Sequence, residues 1–190
     1  RYSIALVENY RKFRSHDRRT VDLWNQLWQQ KSLSVSQREE AADKLIALLR
    51  NPTWTNINCA DRTLLASLLL VRVLPIILGP NPITAVTMQD INEASALADD
   101  LVPASMQDSS NLYLQVKSMQ AFALAKHSKP QMASDIIDSL HPSRSHFKNL
   151  FSVSGILQAR RQLAITYKDL GRENLARKQF QAIYKLITTI

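Results

Sequence analysis

Only three of the 190 residues are glycine, and this scarcity constrains the fold more than any other feature of the sequence. Folds rich in tight turns need glycine at left-handed backbone positions, and phosphate-binding loops need it for close approach of the backbone. The chain is instead rich in leucine, alanine, glutamine, lysine and arginine, which lose little side-chain entropy in a helix. The sequence therefore predicts an all-α fold.

Helix signals recur along the chain and divide it into about nine helices with short connections, a pattern that favours antiparallel neighbours. Ser36 and Glu39 have the spacing of a capping box, in which a side chain satisfies an unpaired amide at the start of a helix. Thr87 is a candidate cap for a later helix, and Asp108 or Ser109 is a candidate cap for the helix that follows it.

The longest apolar stretch, residues 64–78, contains Arg72 and Pro75 and is shorter than the roughly 20 residues that span a bilayer. We interpret it as a buried helix that Pro75 kinks or ends, and we expect no membrane span in this segment. The single cysteine, Cys59, excludes an internal disulfide, and we expect it to be a buried thiol.

The net charge of +8 is uneven along the chain, and residues 141–190 carry nine basic and two acidic residues. The densest basic stretch is near the other end and gives a candidate basic patch of Arg11, Lys12, Arg14, Arg18 and Arg19, interleaved with Tyr10 and Phe13. Cations and aromatic rings together can bind the phosphates and bases of single-stranded nucleic acid. The same spacing also suits a helix end whose aromatic residues face the core, and we favour that interpretation.

The sequence contains no nucleophile elbow, no phosphate-binding loop, no dinucleotide fingerprint and no set of Cys and His residues with metal-ligand spacing. Adjacent acids such as Asp99 and Asp100 point in different directions on a helix. A pair of catalytic carboxylates drawn from distant positions would escape a motif search. We predict that the chain is not an enzyme and has no catalytic, cofactor or metal site.

Residues 156–188 have the spacing of two packed helices, with small and aromatic side chains facing inward and a glycine in the turn. These residues are Leu163, Ala164, Tyr167, Gly171, Ala176 and Phe180. The pattern resembles the tetratricopeptide repeat, a helix–turn–helix unit of 34 residues. Three positions depart from it: Arg160 stands where the family favours tryptophan, Ile183 replaces a late alanine, and Thr188 replaces a closing proline.

A weaker second unit covers residues 112–140, and it aligns when Ala133 is set at the position of Ala176. That alignment places Ser128 at the position of the turn glycine. The resemblance implies antiparallel helix pairs stacked as a right-handed α-solenoid, with a compact irregular bundle as the alternative. We assign residues 1–190 to one all-helical domain, with irregular helical pairs over 1–103 and tetratricopeptide-like pairs over 110–190.

Proteins that resemble this family use a groove lined by the first helices of successive pairs to hold peptides or partner helices. The residues at the corresponding positions are Gln115, Phe122, Gln158, Arg161, Ile165 and Lys168. Arg161 and Lys168 are seven residues apart, so they share a helix face and can pair with a carboxylate of a partner. The alternative is that they are two solvated basic residues.

We therefore predict a protein–protein interaction module that binds a peptide or a partner helix, with an acidic partner as one option. One alternative is a regulatory or sensory domain of a larger signalling receptor or transcription regulator, and a further alternative is a helical domain that binds nucleic acid. The chain begins at Arg1 without a methionine, and we expect it to be a fragment of a longer protein. We favour a cytoplasmic location; the sequence does not fix the oligomeric state.

Overall fold

The computed structural model describes residues 4–5, 7–8, 18–51, 58–141 and 150–188, and these ranges contain helices and no strand. This confirms the predicted all-α fold. The helices are α1 (Arg18–Trp28), α2 (Val35–Leu49), α3 (Cys59–Leu78), α4 (Ala85–Leu101), α5 (Asn111–Lys126), α6 (Pro130–Asp138), α7 (Leu150–Asp169) and α8 (Glu173–Thr188), with a 3₁₀ helix (Ala104–Ser109) before α5.

The chain divides into two compact units, Arg1–Arg72 and Val73–Ile190, and the division falls within α3. The assignment of a single domain stays a prediction. In the first unit α1 packs against α2, and the buried side chains of α1 include Val21, Trp24 and Leu27. These three residues therefore form the face of α1 that packs in the core.

The predicted start of three helices is displaced from the observed one by one to three residues. The hydroxyl of Ser34, and not that of Ser36, accepts from the amide of Gln37 (3.2 Å), and the Gln37 side chain accepts in return from the Ser34 amide (3.1 Å). The caps of α4 and α5 are Thr84 and Ser110. A capping oxygen must lie just before the first turn, and several serine and threonine residues near each start offer similar spacing.

Helix α3 continues through Pro75 to Leu78, so Pro75 does not end this helix, which was one of the two expected outcomes. Proline removes one backbone bond, the one to the carbonyl of Val71, and both side chains at these two positions are exposed. Lys126 of α5 donates to the carbonyl oxygens of Ile77 (3.2 Å) and Gly79. It thereby supplies a hydrogen-bond donor to carbonyl groups at the C-terminal end of α3. Cys59, expected to be buried, is exposed at the start of α3.

Helix α5 lies at the centre of the second unit, where it packs against α4, α6 and α7. Helix α7 packs in turn against α6 and α8. The core formed by the last four helices consists of Leu114, Ala121, Leu124, Ala125, Ala133, Ile137, Leu140, Ile156, Ala159, Leu163, Tyr167 and Ala176. The second unit thus contains two successive helix pairs, α5 with α6 and α7 with α8, joined through a common core.

Candidate functional site

The turn between α7 and α8 is built around Gly171, whose φ of 70° lies in the left-handed region that favours glycine. The amide of Arg172 donates to the carbonyl of Tyr167 (2.8 Å), and the amide of Gly171 donates to that of Lys168 (2.9 Å). These two bonds form the Schellman motif that ends many helices. The role assigned to Gly171 from sequence is confirmed.

The turn between α5 and α6 forms the same motif with a serine at the left-handed position. Ser128 has a φ of 58°, and the amide of Lys129 donates to the carbonyl of Leu124 (2.9 Å). The amide of Ser128 donates to the carbonyl of Ala125 (3.3 Å). Each of these four residues precedes its counterpart in the second turn by the same interval, 43 residues, which is the alignment expected from the sequence.

The inward-facing residues of the second pair were predicted correctly with one exception. Leu163, Ala164, Tyr167 and Ala176 are buried, and the Tyr167 hydroxyl donates to the carbonyl of Pro130 (3.3 Å) at the start of α6. Phe180 was predicted to face inward, but half of its side chain, 50%, is exposed. Its counterpart 43 residues earlier, Ile137, is fully buried.

Arg160, which stands where the resembled family favours tryptophan, joins three helices by hydrogen bonds. Its guanidinium donates to the Asp138 carboxylate (2.8 Å) and the Ile137 carbonyl (3.1 Å), both at the end of α6. It also donates to the side-chain oxygen of Gln179 on α8 (2.8 Å). The side-chain oxygen of the buried Gln179 is therefore hydrogen-bonded. Through Arg160, a polar contact connects the two pairs at this position.

Small residues bring α5 and α7 close together at two points. A Cβ atom added to Gly155 would lie 2.5 Å from the Ser118 hydroxyl oxygen, so only glycine fits there without a shift. Further along, the Thr166 hydroxyl donates to the carbonyl of Ala125 (3.0 Å). The two contacts follow each other in the same order along both helices, so α5 and α7 run in the same direction. Helix α7 therefore covers the face of α5 that carries Ser118 and Ala125.

The six candidate groove residues fall into a partly covered set and an open set. On α5, Gln115 and Phe122 are half-buried, and Phe122 packs against the core. On α7, Gln158 is half-buried. The open set consists of Arg161, Ile165 and Lys168 on α7, all three exposed, with Ile165 at 39%.

Helix α8 carries an apolar stripe that is open to solvent and that was not predicted from the sequence. Phe180, Tyr184 and Ile187 are exposed by 50%, 70% and 52%, and their spacing of four and three residues places them on one helix face. The spacing was visible in the sequence, where Phe180 was assigned to the core. The sequence could not reveal whether a neighbouring helix covers the stripe.

The two open sets occupy the positions of the second pair that correspond to the covered surface of the first pair. Helix α7 covers Ser118 and Ala125 of α5 and packs with Ile137 of α6 in one core. The residues 43 positions later are Arg161, Lys168 and Phe180. We therefore define the end face as Arg161, Ile165 and Lys168 of α7 together with Phe180, Tyr184 and Ile187 of α8.

The candidate basic patch is described only in part. Arg11, Lys12 and Arg14 lie outside the described residues. Arg18 forms an ion pair with Asp22 (3.4 Å) and another with the buried Asp61, so its charge links α1 to the start of α3. Arg19 is exposed on the same helix.

No cluster of three or more potential metal-ligating side chains occurs in the part of the chain that the structure describes. None of the helices described here combines the length and the apolar character that crossing a membrane requires. Comparisons with protein-family models, curated proteins and solved structures find no match for this chain.

Proposed function

We propose that this chain is a protein–protein interaction module that binds a peptide or a helix of a partner on the end face. The observation that carries the proposal is the open stripe of Phe180, Tyr184 and Ile187 on α8. Large apolar side chains that cluster on a surface mark interaction sites, and aromatic residues are enriched at the centres of protein interfaces.

The spacing of the stripe fits recognition of a helix or an extended peptide along α8. Anchors at positions i, i+4 and i+7 form a continuous apolar ridge on one side of a helix, and the apolar side chains of a partner helix or peptide can pack along it. Basic side chains on the neighbouring α7, Arg161 and Lys168, form a polar rim in which neither has an ion pair among the described residues. An apolar centre with a charged rim is the usual anatomy of an interface.

The stacked arrangement of a tetratricopeptide-like solenoid is part of this proposal. It is supported by the two Schellman turns 43 residues apart, around Ser128 and Gly171. It is also supported by the packing order, in which each of α5 and α7 contacts the second helix of its own pair and α5 contacts α7. Among the described residues, no further helix covers the apolar side chains of α8.

The test is quantitative capture of partners from an extract of the source cells, with the chain immobilised as bait. A bait with Phe180→Asn and Tyr184→Asn should lose the partner that the unmodified chain retains. A control bait with Val35→Asn and Val86→Asn loses two exposed apolar side chains outside the end face and should retain it. Equal capture by the unmodified and the end-face baits would contradict the proposal.

A further inference from the structure

We propose that Lys117 and Arg160 are equivalent positioning residues, each of which fixes the first helix of a pair on the helix that precedes it in the chain. Helix α4 then takes the place beside α5 that α6 takes beside α7. The last part of α3, residues 73–78, forms with α4 a further pair that precedes the first pair. Partner binding on the end face is not a premise of this inference.

Lys117 connects α5 to the last two turns of α4. Its ammonium group donates to the Asp99 carboxylate (2.7 Å) and to the Ser95 hydroxyl (2.7 Å), and it lies 5.5 Å from the centre of the Tyr113 ring. Only 13% of the Lys117 side chain is exposed. A cation removed from water to this extent needs such partners, because a buried charge without them is costly.

Arg160 of α7 stands 43 residues after Lys117 and makes the corresponding contact with the end of α6. Its guanidinium donates to the Asp138 carboxylate (2.8 Å), and 12% of its side chain is exposed, nearly the same fraction as for Lys117. Asp138 is the last residue of α6, and Asp99 lies in the last turn of α4. The same position of two first helices therefore carries a nearly buried cation that is paired with a carboxylate at the end of the preceding helix.

The contacts between α4 and α5 give the direction in which these helices run. The side chain of Gln120 donates to that of Asn92 (3.0 Å), whereas Lys117 contacts Asp99. The later residue of α4 thus meets the earlier residue of α5. Helix α4 is therefore antiparallel to α5.

The contacts between α6 and α7 have the same reversed order. Tyr167 of α7 donates to the carbonyl of Pro130 at the start of α6, whereas Arg160 contacts Asp138 at its end. Helix α6 is therefore antiparallel to α7. The ion pair and the direction of the helices agree, so α4 relates to α5 as α6 relates to α7.

A separate contact places the end of α3 beside the end of α5. Lys126 in the last turn of α5 donates to the carbonyl oxygens of Ile77 (3.2 Å) and Gly79 at the end of α3. In the next pair, the Thr166 hydroxyl in the last turn of α7 donates to the carbonyl of Ala125 at the end of α5 (3.0 Å). Each first helix thus uses a side chain of its last turn to bind the end of the preceding first helix.

Two double-mutant cycles test whether the cations have the same role. One combines Lys117→Met with Asp99→Asn, and the other combines Arg160→Met with Asp138→Asn. Methionine keeps an apolar stem in place of the cation. In urea denaturation of the full 190-residue chain, the unfolding constant of each double variant should be about fivefold smaller than additive effects would give, the usual size for a contacting pair.

The control cycle combines Lys117→Met with Asp138→Asn, two residues of different ion pairs, and should be additive. Coupling in the Arg160 cycle without coupling in the Lys117 cycle would show that α4 is not held as α6 is, and would overturn the inference. Additivity in both of the ion-pair cycles would overturn it as well.

Native-state hydrogen exchange distinguishes positioning from general stabilisation. Lys117→Met should accelerate exchange of the α4 amides about tenfold more than that of the α8 amides, because α4 opens locally when it loses its link to α5. Arg160→Met should accelerate exchange in α6 more than in α4. The control Lys178→Met, which removes an exposed cation of α8, should change neither helix.

A conservative variant completes the experiment. Lys117→Arg gives α5 the residue that α7 has at this position and should keep the exchange protection of α4, whether or not Lys117→Met folds. Equal acceleration in α4, α6 and α8 by Lys117→Met, or loss of α4 protection in Lys117→Arg, would overturn the inference. Acceleration confined to α4 in the first variant, with protection kept in the second, supports it.

Discussion

The pair α5 and α6 and the pair α7 and α8 share a turn motif and a core pattern, and they differ in what lies on their outer face. In the first pair Ile137 is fully buried, because α7 packs over it. In the second pair the corresponding Phe180 is 50% exposed, and no helix of the described residues covers it. The same local structure thus gives a packing surface at one position and an open surface at the other.

This difference separates residues that hold the pairs together from residues that are available to a partner. Tyr167 and Ala176 of the second pair are buried in the common core and stabilise it, as Leu124 and Ala133 of the first pair do. Phe180 and Ile165 contribute less to folding, because water still reaches them. The comparison predicts that substitutions on the two kinds of surface have effects of different size and different type.

The largest expected effect is at Tyr167, whose ring is buried between the two pairs. Tyr167→Ala should lower the free energy of unfolding by about 3–5 kcal/mol, the usual cost of removing a buried aromatic ring. Tyr167→Phe keeps the ring, loses the hydrogen bond to the Pro130 carbonyl, and should cost about 1 kcal/mol. Urea denaturation followed by circular dichroism measures both, and an equal cost for the two variants would place the ring outside the core.

The second prediction compares Ile137 of the first pair with the corresponding Phe180 of the second pair. Ile137→Ala should lower the free energy of unfolding by about 2–4 kcal/mol, because it leaves a cavity beneath α7. Phe180→Ala should cost less than about 1 kcal/mol, since the ring is half exposed and the side chains around it can move into the space. The same denaturation experiment applies to both variants. Similar losses would mean that Phe180 is covered in solution.

The sequence predicted the architecture more fully than it predicted the surface. Scarcity of glycine led to an all-α fold, and Gly171 was placed correctly at a left-handed turn, since both features depend on local backbone conformation. The exposure of Phe180 could not be predicted, because its spacing fits a buried stripe equally well when a neighbouring helix is present. Burial of an apolar stripe depends on tertiary neighbours that a single helix pattern does not contain.

The candidate site was predicted in part for the same reason. Exposure of Arg161 and Lys168 agrees with their assignment to one accessible helix face. Phe122 lies on the corresponding face of α5, but it packs against the core because α7 covers that face. Helix spacing predicts which residues share a face. Whether another helix covers that face depends on the order in which the helices pack.

The third effect tests the close approach of α5 and α7 at Gly155. Alanine in place of glycine in a helix is normally stabilising by about 1 kcal/mol. Here the added Cβ meets the Ser118 hydroxyl at 2.5 Å, so Gly155→Ala should instead cost about 1–2 kcal/mol.

In a background with Ser118→Gly the clash is absent, and Gly155→Ala should regain the normal stabilisation. The double-mutant cycle of the two positions should therefore show a coupling of about 2 kcal/mol in urea denaturation. Strict additivity would show that α5 and α7 do not approach closely at this point.

The smallest effect compares the two turns, which share one geometry with different residues. Gly171→Ser should lower the free energy of unfolding by about 1 kcal/mol, because a side chain is disfavoured at a positive φ. Ser128→Gly should raise it by less than about 1 kcal/mol, since glycine relieves the same strain but adds entropy to the unfolded chain. Thermal denaturation resolves the opposite signs, and the same sign for both variants would show that the turns differ.

The most direct test of the difference between the two pairs is the reactivity of a single thiol on each outer face. In a background with Cys59→Ser, which removes the exposed native thiol, Ile137→Cys and Phe180→Cys are labelled with a maleimide under native conditions. We expect the thiol at position 180 to react at nearly the rate of the unfolded chain, and the thiol at position 137 to react at least a hundred times more slowly, on the order of magnitude that protection by a stable fold provides. Equal labelling rates at the two positions would contradict the conclusion that α8 carries an open face where α6 carries a covered one.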